Sequence, residues 1–221
     1  MEFDLSPVIA NWRFLAGGLV VTAQIAVITI VGSTVLGAAV GIMRVYGAPI
    51  LTVPLAFYVD SMRAIPVLAV LLWNYFGLPI AFGITFSPFA IACISLIIHV
   101  GAYVSEIVRA GLLSVRPGQM RAALALGMSR WQAIRKIIIP QAAIRMLPAY
   151  GSVLSIAIKD TAITTVIAVP DYMHRSETVS SQSMQPFEIF TLALIVYFCV
   201  LFPTTRLVDI VYRRISYRGR S

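Results

Sequence analysis

Charge is scarce in this sequence: Asp, Glu, Lys and Arg make up 12% of 221 residues, and nine of them are acidic. The carboxylates are scattered singly, which leaves no acidic cluster for a metal and no nucleophile with a base at hand. Histidine and cysteine are equally sparse, at two residues each. Cys93 and Cys199 stand alone inside apolar runs, without metal-ligand spacing, and read as small buried hydrophobes rather than as a disulfide or a zinc site. No G-x-x-x-x-G-K-[ST] segment occurs, so the chain carries no phosphate loop for nucleotide hydrolysis. Internal repeats and low-complexity tracts are also missing.

What the sequence has in excess is apolar surface. Hydrophobic residues form 59% of the chain and the mean hydropathy is +0.90, more than a soluble domain of this length can bury. A spanning helix takes about 20 apolar residues, so the length allows four to six passes in one membrane domain and no second globular one. The expected class is an all-α membrane protein of about five transmembrane helices. A formal net charge of +8 would suggest nucleic acid for a soluble protein. Here the basic residues lie between and after apolar runs, where they set topology, and nucleic acid is not an expected partner. Glu2 and Asp4 replace the basic start of a signal peptide, and no cleaved leader is expected.

The apolar runs place spans at 16–43, 64–80, 86–108, 142–169 and 187–208. Gly37 and Gly41 in the first have the spacing that lets two membrane helices approach closely. The run from Ile50 is interrupted by Asp60 and Arg63, which puts the entrance of the second span at the interface. Trp73, Tyr75 and Phe76 near its other end read as an aromatic anchor. Arg109, Arg116, Arg121, Arg130, Arg135, Lys136 and Arg145 collect between spans three and four, and Arg213, Arg214, Arg218 and Arg220 follow span five. Those segments are therefore expected in the cytoplasm, with the N-terminus outside and the C-terminus inside. The loop 77–85 carries no charge, and 171–185 sets Asp171 and Glu177 against Arg175, so both loops suit the outer side.

The stretch Pro117 to Pro140, PGQMRAALALGMSRWQAIRKIIIP, reads as two short helices. The first contains Ala122, Ala123, Leu124, Ala125 and Leu126, and Gly127 follows where a left-handed cap residue is wanted. Ser129 with Gln132 makes a capping box for the second helix, and Pro140 closes it. Such a small-residue helix either rests on the membrane surface or enters a groove on another protein.

This segment resembles the EAA loop of ABC importer permeases, with two alanines, a glycine and an Ile-rich end running into proline. Three further segments, in the same order, are similar to the polar amino-acid subfamily. They are Asp60-Ser61-Met62-Arg63-Ala64-Ile65-Pro66, Gly101-Ala102-Tyr103-Val104-Ser105-Glu106-Ile107, and Lys159-Asp160-Thr161. Two positions depart from the pattern: Arg121 replaces the glutamate of the EAA loop, and Ala64-Ile65 replaces Gly-Thr before the proline. The resemblance implies a type I importer permease fold in a bacterial cytoplasmic membrane. It also implies separate ABC ATPase subunits that bind the ATP, a second permease copy or paralogue, an extracytoplasmic solute-binding protein, and a polar amino acid or related zwitterion as substrate. The chain itself then needs no cofactor, and Ala122, Ala123, Leu124 and Gly127 would couple to the ATPase.

The charged residues inside the spans narrow the substrate path. Lys159 and Asp160, roughly 20 Å into span four from Arg145 at 1.5 Å per residue, project about 100° apart and cannot pair well with each other. They either complement the ammonium and carboxylate of a zwitterion or pair with neighbouring spans. His99 and Tyr103, four apart, share a face of span three, where the histidine either bonds a neighbouring helix or touches substrate. Glu106 pairs with Arg109 or Arg63. A membrane-embedded enzyme acting on lipid-soluble substrates and a passive channel are the alternatives. The first lacks its acidic cluster, since His174 also sits in a flanking loop, and the second has no use for a docking segment.

Overall fold

Residues 4–218 are described in the computed structural model; beyond Thr204, side chains are described at Arg206 and Ile210. Glu2 and Arg220 lie outside the described residues, as do the side chains of Val208, Arg213, Arg214 and Arg218. The chain is a helical bundle. After a short α1 (Ser6–Ala10) come α2 (Trp12–Tyr46), α3 (Pro49–Ala64), α4 (Val67–Leu72), α5 (Leu78–Phe82), α6 (Pro88–Ser114), α7 (Pro117–Ala125), α8 (Arg130–Ala133), α9 (Ile139–Asp160), α10 (Tyr172–Ser183) and α11 (Pro186–Arg218). Among the described residues four helical stretches are long and apolar enough to cross a membrane, or five if the bent pair Pro49–Ala64 and Val67–Phe82 counts as one span.

The most extensive packing joins α2 to α6, and its cause is the glycine pair. A methyl on Gly37 would lie 2.5 Å from Val104 Cβ and 2.7 Å from the Gly101 carbonyl oxygen; one on Gly41 would lie 2.8 Å from the Ser105 carbonyl oxygen. With hydrogen alone at those positions the backbones close up, as membrane helices do where small residues face each other. Gly37→Ala should therefore force the two helices apart at a cost of about 1–3 kcal/mol. A fall of several degrees in the melting temperature of the detergent-purified protein is the expected result.

At the basic end α7 and α8 form a compact pair. The carbonyl of Ala123 accepts from Met128 N–H at 3.1 Å and that of Leu124 from Gly127 N–H at 3.0 Å, while Gly127 takes φ +79°, the left-handed cap its sequence position announced. The expected capping box forms: Ser129 Oγ accepts from Gln132 N–H at 3.2 Å and Gln132 Oε1 from Ser129 N–H at 2.9 Å. Pro140 does not close the second helix. A π-turn at Ile134–Ile138 widens the chain just before the proline, with Ile139 N–H donating to the Ile134 carbonyl, and the helix runs on through Pro140 to Asp160. The widened turn makes room for the ring and its missing donor.

Three further expectations change. The segment 171–185 is not an open loop but carries α10, because Asp171 caps it by accepting from His174 N–H at 2.8 Å. Asp171 is fully buried, and burial pushes its carboxyl up to about 6 despite that bond. Arg175 does not face it. Its guanidinium donates to the carbonyls of Pro170 and Phe14, at 3.0 and 2.7 Å, and fastens α10 to the start of α2. Finally, Cys93 is buried as expected, whereas Cys199 is exposed on α11.

Candidate functional site

The second span is broken where the sequence turns polar. Pro66 holds the residue before it extended, Ile65 sits at φ −91° and ψ 134°, and the two halves meet at 109°. Tyr58 Oη donates to the Ile98 carbonyl at 2.6 Å, Val59 is buried with Ala102, and the Arg63 guanidinium lies 5.9 Å from the Tyr103 ring centre. These contacts straddle Gly101, the middle residue of α6. Composition made Asp60 and Arg63 look like headgroup neighbours because a charge inside the bilayer costs about 2.5–3.5 kcal/mol by insertion. The tertiary contacts place both beside the middle of α6. Asp60 and Arg63 are exposed on the chain, and among the described residues neither takes part in an ion pair.

His99 and Tyr103 come together as their spacing predicts, with ring centres 5.4 Å apart. His99 is buried and its Nδ1 has no hydrogen-bond partner. One turn on, Glu106 is held at 2.8 Å by Arg44 and at 2.5 Å by Arg109. Arg109 was an expected partner; Arg44 takes the place suggested for Arg63. The missed signal lay in the glycines, since a helix pair closed at Gly41 and Ser105 brings Arg44 of α2 beside Glu106 of α6.

Lys159 and Asp160 stand at the end of α9, where the chain tightens into a 3₁₀ helix, Thr161–Ile167. Thr161 and Thr164 stabilise that turn by donating to the carbonyls of Ile158 and Thr161, at 2.8 and 2.7 Å. Asp160, half-buried, shares the helix face of Val153 and Ala157, which pack on Val100 and Val104 of α6. Lys159 is exposed and projects about 100° away from it. Among the described residues neither forms a hydrogen bond or ion pair, with His99 and Tyr103 or with any other residue.

Of the four residues expected at the coupling surface, Ala122, Leu124 and Gly127 are exposed and Ala123 is buried. Beside them Leu126 is 84% and Trp131 64% exposed. The pair itself is anchored to the bundle through Met120, Leu112, Val115, Ile138 and Ala142.

Residues 33–217 match the family model described as a binding-protein-dependent transport system inner membrane component. The chain belongs to that family. This permease is 32% identical over 219 residues to the glutamine transport system permease protein of Escherichia coli strain K12, covering 99% of its own length and 98% of the relative. It is 33% identical over 221 residues to the glutamate/aspartate import permease protein of Escherichia coli O157:H7, with 96% and 98% covered. Its fold superimposes on the crystal structure of an amino acid ABC transporter with histidines at a TM-score of 0.89 and 29% identity, covering 97% of this chain and all of that one. An inward-facing methionine ABC transporter shares the fold at a TM-score of 0.78 and 18% identity, over 93% of this chain and 98% of that one.

The permease is accordingly an inner-membrane transport subunit of the type I importer fold and not an enzyme, so the alternatives of a lipid-modifying enzyme and a passive channel fall away. ATPase activity lies with a partner subunit, and the family works with ATPase subunits, a partner permease and a solute-binding protein.

Proposed function

We propose that the permease conducts a polar amino acid or a related small zwitterion inward, past α3, α6 and α9, driven by ATPase subunits seated on α7 and α8. The substrate class is supported by the relatives, whose names specify glutamine and glutamate or aspartate. It is supported equally by the chemistry of the spans, which hold at the end of α9 a carboxylate and an ammonium that form no hydrogen bond or ion pair among the described residues. The α7–α8 end is the cytoplasmic one, because Arg116, Arg121, Arg130, Arg135, Lys136 and Arg145 gather there. The N-terminus is then outside and the C-terminus inside. The exposed small-residue face of Ala122, Leu124 and Gly127, flanked by Leu126 and Trp131, is the surface that meets the ATPase, and buried Ala123 holds the helix pair together.

The observation that carries the reading is that apolar edge on a rigidly capped helix pair at the basic end of the bundle. Reconstituted with its ATPase and binding protein, the permease should accumulate one or more members of a radiolabelled amino-acid panel only when ATP is supplied. Assembly of the complex with ATP-driven uptake of no amino acid would discard the substrate class.

A further inference from the structure

No Asp or Glu occurs between Glu106 and Asp160, so the cations of the α7–α8 end have no carboxylate among them. Two are engaged nonetheless: Arg109 is held by Glu106, and Arg145 donates to the Ser114 carbonyl. Arg116, Arg121, Arg130, Arg135 and Lys136 are exposed, and their side chains form no hydrogen bond or ion pair among the described residues. Arg116 even stands at the N-cap of α7, where the helix dipole repels a cation. The number of these charges suits the inner side of a membrane. The position of Arg121 asks for more.

Ala123, 4% exposed, marks the inward side of α7. At about 100° per residue, Arg121 lies about 160° around the helix from it, on the outermost line. Gly118 and Ala125, three residues before and four after, share that line, with Ala122 beside it, and all are exposed. Nothing lies within 4 Å of where a Cβ on Gly118 would stand. The crest of α7 is therefore a single guanidinium on shoulders of hydrogen and methyl. Shoulders so small let a partner's surface close around the long side chain and shut out water.

We infer that Arg121 enters the ATPase groove that receives α7 and pairs there with a carboxylate of the ATPase, so that this permease accepts its ATPase by charge as well as by shape. The inference rests on the reading that ATPase subunits sit on α7 and α8. A guanidinium suits the task because its planar fork matches both oxygens of a carboxylate. Enclosed by the partner, such a pair couples strongly, and either charge left alone there is costly. The same cost supplies selectivity. A groove built for the glutamate of the EAA pattern, with a cation to meet it, would face Arg121 with like charge and be refused.

The test uses the permease co-purified with its ATPase in detergent, and the same complex reconstituted into vesicles with its binding protein. Retention of the ATPase by the wild type checks the parent reading; if it is absent, that reading fails and not only this one. Given a wild-type complex, Arg121→Gln should weaken retention about tenfold and make it less sensitive to NaCl. Arg121→Glu installs the residue of the EAA pattern, yet it should weaken retention about a hundredfold or more and abolish uptake. Arg121→Lys should fall between wild type and glutamine, because it keeps the charge without the fork. Replacing the Asp and Glu residues of the ATPase groove one at a time with Lys should then find a position that restores assembly with Arg121→Glu, which keeps the result apart from any misfolding of the variant. Full retention in Arg121→Glu, or a loss that no such replacement repairs, overturns the pairing. An uptake defect confined to vesicles of anionic lipid and absent in phosphatidylcholine, with the ATPase still bound in detergent, overturns it as well and assigns Arg121 to phospholipid headgroups.

Discussion

Replacing Gly127 with valine should lower ATP-driven uptake at least tenfold while the permease still inserts and its ATPase partner still hydrolyses ATP. The residue sits at φ +79°, where a side chain with a Cβ costs about 1–2 kcal/mol and a β-branched one is a genuine outlier. Space is not the obstacle, because nothing lies within 4 Å of where that Cβ would go. The strain is confined to the turn, which can relieve it only by surrendering the bonds to the Ala123 and Leu124 carbonyls that fix the angle between α7 and α8. Leu126 and Trp131, the exposed apolar edge, move with that angle. Asparagine visits the left-handed region readily, so Gly127→Asn should keep most of the uptake and separate the backbone requirement from the loss of a small side chain. Full uptake in the valine variant would remove the coupling role from this turn. Ala123 cannot serve the same purpose: at 4% exposure it is packed inside the pair, and enlarging it disturbs the fold of the segment before it disturbs any docked partner.

The difference between those two neighbours shows what was readable and what was not. Local rules act over four or five residues, and every feature that obeys them alone could be read directly: the left-handed Gly127, the box of Ser129 and Gln132, and the His99–Tyr103 face. The glycine pair was equally plain, because only the smallest side chains permit that approach of backbones. Which side of α7 turns inward depends instead on residues far away in sequence, and so Ala123 and Ala122 look alike on paper. The broken second span is the larger case. Asp60 and Arg63 suggested an interface because lipid excludes charge, whereas the contacts that set the break beside the middle of α6, Tyr58 donating to the Ile98 carbonyl among them, join residues 40 apart in sequence and obey no local rule. Pro140 misled for a related reason: a proline ends a regular helix, but a π-turn is not regular.

Neutralising Asp160 tests the substrate path against the possibility that the residue only holds the bundle together, because the two roles predict opposite effects on stability. A half-buried carboxylate without a hydrogen bond or an ion pair among the described residues is a burden on the fold. Asp160→Asn keeps its shape and removes that burden, so the melting temperature of the purified permease should hold or rise. Were Asp160 a structural anchor, losing a buried ionic partner would instead cost about 3–5 kcal/mol, and the protein would melt early. On the transport side the amide cannot complement the ammonium of a zwitterion as a charge does, and ATP-driven uptake should fall about tenfold or more, an interaction of a charged hydrogen bond's size. Lys159→Met should behave in parallel, since that side chain is exposed, about 100° around the helix, and contributes no packing that methionine would lose. Undiminished uptake in Asp160→Asn at normal expression would move the path away from the end of α9. Lost uptake without lost stability leaves a carboxylate whose counter-charge arrives with the substrate, at the same end of α9 where the 3₁₀ turn of Thr161–Ile167 interrupts the regular helix.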